Sequence, residues 1–156
     1  MSTMNRRDVC LAAGAFAALG GLFVQAQEVH GEGSGPAFDT SRSHVFHFDQ
    51  MPVQQHPNGG WGRAVMHGTL PTGEFVEVHE TMLPPGQMPH PPHQHRNTEF
   101  VLIREGKLEY WGADGKHEPC GPGDIVFTAS NQMHGMKNIG TTPATYFVVS
   151  ISHGQM

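Results

Sequence analysis

Cysteine is nearly missing from this chain of 156 residues: only Cys10 and Cys120 are present. Charged residues are also scarce, at 15%, where an ordinary soluble domain carries about a quarter. There is no basic block, and the formal net charge is −5 at pH 7. That balance gives no electrostatic reason to bind nucleic acid, which is set aside as a partner. After residue 26 there is no apolar stripe of helical period and no repeat of solenoid length. The only long apolar run, Val9 to Val24, falls short of the roughly 20 residues that span a bilayer. These absences argue against a disulfide scaffold, a helical bundle and a permanent membrane span.

Glycine (20), proline (12) and histidine (12) are plentiful instead. Glycine permits positive φ and proline fixes φ near −65°, so their abundance suits a β-protein with many tight turns. Imidazole is the commonest protein metal ligand, and twelve of them raise the expectation of a metal site. The length suits one domain.

The first 26 residues read as a cleaved leader. Arg6-Arg7 precede the apolar run, and Val24-Gln25-Ala26 provides a signal-peptidase-like end. Asn5-Arg6-Arg7-Asp8-Val9 resembles a twin-arginine export signal. An ordinary secretory leader with two incidental arginines is the other reading. Cys10 lies ahead of the apolar run, so a lipoprotein anchor does not fit. The expectation is a periplasmic or secreted protein with no stable membrane anchor after cleavage. Cleavage after Ala26 leaves 130 residues, a net charge of −6 and one cysteine, Cys120. A single cysteine makes no internal disulfide, and a buried free thiol is the reading adopted.

Residues 27–43 hold Gly31, Gly33, Ser34, Gly35 and Pro36 without apolar period, which predicts a flexible arm. The domain proper is expected over 44–156. Val45–Phe48 is a candidate first strand, and 54–60 a loop ending in Pro57-Asn58-Gly59-Gly60. Strands are then predicted at 61–70, 74–83, 93–103, 107–111, 116–120, 125–128, 134–139 and 144–152. In the second of these, Phe75, Glu77, His79 and Thr81 alternate with Val76, Val78, Glu80 and Met82, the period of a strand. Eight or nine short strands at this spacing predict an all-β sandwich or barrel. Phe100, Tyr110, Trp111, Phe127, Tyr146 and Phe147 are expected in its core and cavity walls.

The chemistry concentrates in Gly86-Gln-Met-Pro-His-Pro-Pro-His93-Gln-His95-Arg-Asn-Thr-Glu99. Alternate residues on a strand share a face. His93, His95 and Glu99 therefore point one way and converge on one centre. A fourth ligand must come from another strand, and His134 is the natural candidate. His90, in the proline-rich loop, is read as a solvated loop residue near the entrance. His67 and His79 are read as packing or surface residues, and His117 and His153 as peripheral. Met82, Met88, Met133 and Met136 flank the ligand segments, where filling irregular gaps is preferred to a copper–thioether role.

The segment resembles the first motif of the cupin superfamily, G-x5-H-x-H-x3–4-E-x6-G. His93-x-His95-x3-Glu99-x6-Gly106 matches it, with one extra residue between Gly86 and His93. The second motif, G-x5-P-x-G-x2-H-x3-N, survives as His134-x3-Asn138, with Ala129 and Asn131 where Pro and Gly are expected. The resemblance spans roughly residues 75–152. It implies a double-stranded β-helix, the jelly-roll cupin barrel, holding one metal with His93, His95, Glu99 and His134. It also implies a small-molecule substrate and a possible homodimer.

Three imidazoles and a carboxylate suit one divalent transition metal ion, whether Mn, Fe, Ni, Co, Cu or Zn. The leading expectation is a metal-dependent enzyme with dioxygenase-, isomerase- or lyase-type chemistry, in which Glu99 is the one candidate catalytic residue. The alternatives are a non-catalytic periplasmic protein that binds a metal or small ligand, and a metal-free structural barrel.

Overall fold

The computed structural model describes residues 37–153. The expected leader at 1–26 and the start of the arm at 27–43 lie outside the described residues, as do the last three. Nine strands follow a short 3-10 turn at Phe48–Gln50: β1 (Val53–Gln55), β2 (Trp61–Thr69), β3 (Glu74–Leu83), β4 (Thr98–Glu105), β5 (Leu108–Trp111), β6 (His117–Cys120), β7 (Ile125–Thr128), β8 (Gly135–Asn138) and β9 (Ala144–His153). Among the described residues no helix is long and apolar enough to cross a membrane.

Every strand pair is antiparallel. One sheet runs β1-β2-β3-β9-β4-β7 and the other β6-β5-β8. Leu83, Val101, Ile103, Ala144, Tyr146 and Val148 from the large sheet meet Leu108 and Met136 from the small one. That cluster is the core, and Cys120, a free thiol, packs at its margin. Burial pushes the thiol up to about 11, with Asp124 adding to the effect. A thiol so poised is not a nucleophile at neutral pH.

The sequence places the later strands closely, while the N-terminal part differs. Val45 to His47 form no strand, and the first strand is instead Val53–Gln55, which overlaps the start of the loop predicted at 54–60. The reason is a side chain far along the chain. Arg63 on β2 donates to the carbonyls of Phe48 and Met51, which curls that segment into a turn. The described part of the 27–43 arm lies beside β2, where Phe38 N donates to the His67 carbonyl at 2.9 Å.

Two of the expected core aromatics are on the surface. Phe127 is 57% exposed and Phe100 39%; their rings touch at 5.3 Å. They lie on the outer face of the large sheet beside Leu102 and Ile125, while Tyr110 and Tyr146 pack in the core as expected.

Glu80 also belongs to the outer face, yet it is fully buried. Arg63 pairs with it at 3.2 Å and Arg104 at 2.7 Å. The Phe48 ring covers both guanidiniums, at 3.9 and 4.8 Å from centroid to Cζ. The N-terminal turn is thus clamped to the sheet by a buried carboxylate.

Candidate metal centre

The ligand segment enters the barrel through Pro89, Pro91 and Pro92, which allow no helix. His93 is not in a regular strand. It forms an isolated antiparallel bridge with His134, N to O at 2.9 Å in one direction and 2.8 Å in the other. The bridge sets the two imidazoles side by side, with ring centroids 4.7 Å apart. The predicted continuous strand from His93 to Ile103 is therefore corrected: β4 begins only at Thr98, and the proline-rich entry and a bend at Arg96 precede it. His95 and Glu99 still reach the same place. The Asn131 N–H donates to the His95 carbonyl at 2.7 Å, which ties the extended segment to the loop before His134.

Asn131 explains a departure from the motif. It stands where glycine is expected and has φ 57°, the one non-glycine residue with positive φ among the described residues. Asparagine tolerates this left-handed region better than most side chains, so the turn geometry survives. Asn138 also has a structural task. It is fully buried, donates to the carbonyls of Leu83 (2.8 Å) and Thr142 (2.9 Å), and accepts from Gly140 N–H (2.9 Å).

The histidines are oriented by their backbones. His95 Nδ1 lies 3.2 Å from the Asn97 carbonyl and His134 Nδ1 lies 2.9 Å from the Gln132 carbonyl. A carbonyl can only accept, so each Nδ1 carries a proton; Nε2 then donates to Glu99 when the ring is protonated and offers its lone pair to a metal when the ring is neutral. Both Nε2 atoms face Glu99, His95 at 3.2 Å from one carboxylate oxygen and His134 at 3.6 Å from the other. His93, His95 and His134 present ligand atoms within 4.8 Å of one another.

The electrostatics are those of a charged group held by imidazoles. Burial disfavours the charged form of Glu99, but hydrogen bonds from His134 and His95 outweigh it and hold the carboxyl far below the usual carboxylate range. The same hydrogen bond raises the pKa of His95 against the cost of burial. Burial, with the neighbouring His90, His134 and His95, lowers His93 to about 4.

These residues fit a metal ion. Nitrogens at about 2.1 Å on one tetrahedral ion stand about 3.4 Å apart, so the triad, whose ligand atoms lie within 4.8 Å of one another, closes on an ion by drawing in by up to about 1.4 Å. His93 Nδ1 is buried without a hydrogen-bond partner, and the set holds no thiolate, which suits a borderline divalent ion. The three histidines are positioned to hold one, and Glu99 lies against two of them.

His90 is less solvated than expected. Its ring packs edge-on against His93 at 4.0 Å between centroids. With His56, Asn58, Met88, Pro92 and Lys137 it lines a pocket of about 650 Å³ beside the centre. Met136 is a core residue, as a gap-filling methionine would be, whereas Met133 is exposed and fills no gap.

Four polar residues face inward: His67 and His79, read as packing or surface residues, and Glu77 and Ser150, to which the sequence assigns no role. His67, Glu77, His79 and Ser150 lie on the inner face of β2, β3 and β9, and His79 is only 9% exposed. The signal was available in part: Glu77, His79 and Thr81 share the parity of Leu83, a core residue.

The family profile described as a cupin domain matches residues 79–150. No curated protein matches the chain. Among solved structures, an RmlC-like cupin from Shewanella frigidimarina shares 16% identity at a TM-score of 0.59, over 70% of this chain and 91% of its own. A predicted oxalate decarboxylase from Thermotoga maritima shares 24% at 0.56, over 69% of this chain and 98% of its own. The polyketide cyclase RemF from Streptomyces resistomycificus shares 16% at 0.56, over 74% and 87%. At these identities the likeness to each structure is one of fold. The profile match, the barrel and the motif residues gathered inside it place this chain in the cupin superfamily.

Proposed function

We propose that this chain is an exported, metal-dependent cupin enzyme acting on a small molecule, with His93, His95, Glu99 and His134 holding one divalent transition metal ion. The observation that carries the reading is the set of two backbone-anchored imidazoles whose Nε2 atoms converge with Glu99 beside His93. Carbonyl-fixed Nδ1 protons are what metal-bound histidines ordinarily have. When bound, such an ion supplies Lewis-acid or oxygen-activating chemistry. The chain's own residues supply the rest. The proline-rich loop sets the His90 ring against His93, and the apolar core fills the barrel interior away from the histidines. Glu99 places a negative charge between His95 and His134 and serves as the candidate proton acceptor.

Structural neighbours described as a predicted oxalate decarboxylase and a polyketide cyclase are named for different reactions on one fold, and a fold does not select the reaction. Elemental analysis tests the site. About one Mn, Fe, Ni, Co, Cu or Zn per purified chain, lost in the His93→Ala/His95→Ala variant, is the expected result. No stoichiometric metal after reconstitution at neutral pH would sink the assignment. Metal bound with no turnover of any substrate class would support the alternative, a binding protein.

A further inference from the structure

The inner face of the large sheet has a polar feature that metal holding leaves unused. Thr128, Glu99, Ser150, Glu77 and His67 are successive partners across β7, β4, β9, β3 and β2. Directly paired residues put their side chains on the same side of a sheet, so the five form one row facing the barrel interior. Adjacent strands lie about 4.8 Å apart, which puts Glu77 about 10 Å from Glu99 along that row. His79 follows on the same face, with Nδ1 3.5 Å from Glu77 Oε1. That contact is within ion-pair reach but makes no hydrogen bond, because both atoms are without hydrogen-bond partners. Asn97 donates from Nδ2 to Ser150 Oγ at 2.9 Å.

This row sits at the metal end of the barrel. The other end is filled by Leu83, Ala144, Tyr146, Leu108 and Met136. A barrel needing only a packed interior would continue that apolar filling, whereas buried polar groups call for a reason. The row's chemistry indicates what it would bind. Beyond Glu99, which the metal reading uses, it offers the Glu77 carboxylate, the Asn97 amide oxygen, hydroxyls and the imidazoles of His67 and His79. On the inner face of these strands, among the described residues, there is no lysine or arginine; Arg63 and Arg104 are engaged with Glu80 on the outer face. A carboxylate or phosphate arriving at Glu77 would meet like charge with no guanidinium or ammonium to balance it. A hydroxyl would donate to the same atoms at no charge cost.

We propose that His67, Glu77, His79, Asn97 and Ser150 form the binding face for a neutral, hydroxyl-bearing small molecule held beside the metal centre. The proposal rests on the metal-enzyme reading and adds the substrate class to it. Glu77 and the Asn97 amide oxygen accept hydrogen bonds from ligand hydroxyls, and His67 and His79 donate or accept according to tautomer. Sites built to pair with a hydroxyl reject analogues that cannot supply one.

The test uses the metal-loaded mature protein and matched probes of one skeleton: glycerol against glycerate, and D-glucose against D-gluconate. Saturation-transfer NMR with competition should show each neutral probe binding at least ten-fold more tightly than its carboxylate. Glu77→Leu should weaken the neutral probes at least ten-fold, with metal content unchanged and Tm not lowered. Glu77→Gln keeps the shape and removes the charge, so it should narrow the preference for the neutral member. A preference for the carboxylates, no saturable binding of either neutral probe, or unchanged neutral binding in Glu77→Gln and Glu77→Leu would each overturn the proposal. Elemental analysis of the same samples separates the two readings: missing metal counts against the centre, and missing alcohol selectivity in metal-loaded protein counts against the row.

Discussion

His93 illustrates how one residue ties the centre to stability. Its pKa falls from 6.5 to about 4, first through burial and then through His90, His134 and His95. As pH drops below 6.5, unfolded chains take a proton that the folded chain refuses, so stability falls across the window from 6.5 to about 4. His95 has the opposite shift: its contribution is fully present below 6.5 and is lost as pH rises through its raised pKa. It therefore does not mask the acid loss. The contribution of Glu99, whose pKa is depressed, is present above about 4.5 and is lost only in stronger acid. Metal-free protein should thus show a Tm that declines from pH 6.5 to 4, and His93→Asn should flatten that decline. Thermal unfolding followed by circular dichroism at half-unit pH steps checks it, and a slope unchanged in the variant would refute it. The gathering of His93, His95 and His134, with Glu99 against two of them, was legible because ligand chemistry constrains residue type and spacing together. Glu77 was not, and His79 was left between packing and surface, since polar residues alternating on a strand read equally as a solvated face. Asn131 looked like a loss of the motif, yet its φ of 57° retains the turn.

At the scale of elements, the strands from Trp61 onward follow from local signals, because glycine and proline turns bound each and the alternation fixes their phase. Alternation does not say which face is inside. Phe100 and Phe127 were assigned inward because they are aromatic, but both faces of β4 and β7 carry apolar residues, and these two have the outward parity. The N-terminal turn was illegible for another reason: it is shaped by Arg63 and Glu80, distant in sequence. Glu80→Ala should therefore act on an element rather than a point. It leaves Arg63, whose side chain is 12% exposed, without its buried partner, and removing one member of a buried pair costs about 3–5 kcal/mol. The midpoint of urea unfolding should fall by the corresponding amount, and proteolysis should become faster near residues 48–51. A near-neutral effect would mean that Arg63 holds Phe48 and Met51 without the carboxylate.

For the whole molecule, the balance of contacts sets an expectation for metal removal. The barrel has no disulfide among the described residues and one half-buried thiol. The ligand segment is joined to the segment of His134 by the two-bond His93–His134 bridge and a few isolated backbone hydrogen bonds such as Asn131 N–H to the His95 carbonyl, not by a strand ladder. Three imidazoles and a carboxylate crowded at that bridge contribute little packing on their own. An ion bound to the folded state alone stabilises it by mass action, about 4 kcal/mol when free metal is near a thousand times its Kd. For a domain of this size that corresponds to a rise in Tm of roughly 12 °C. Chelation should reverse the rise, and a reducing agent should leave Tm unchanged. In the His93→Ala/His95→Ala variant Tm should not respond to metal at all. Differential scanning calorimetry with and without chelator measures all three. A Tm insensitive to metal in the native chain would mean that the histidine cluster folds without an ion and contributes to the barrel as packing alone.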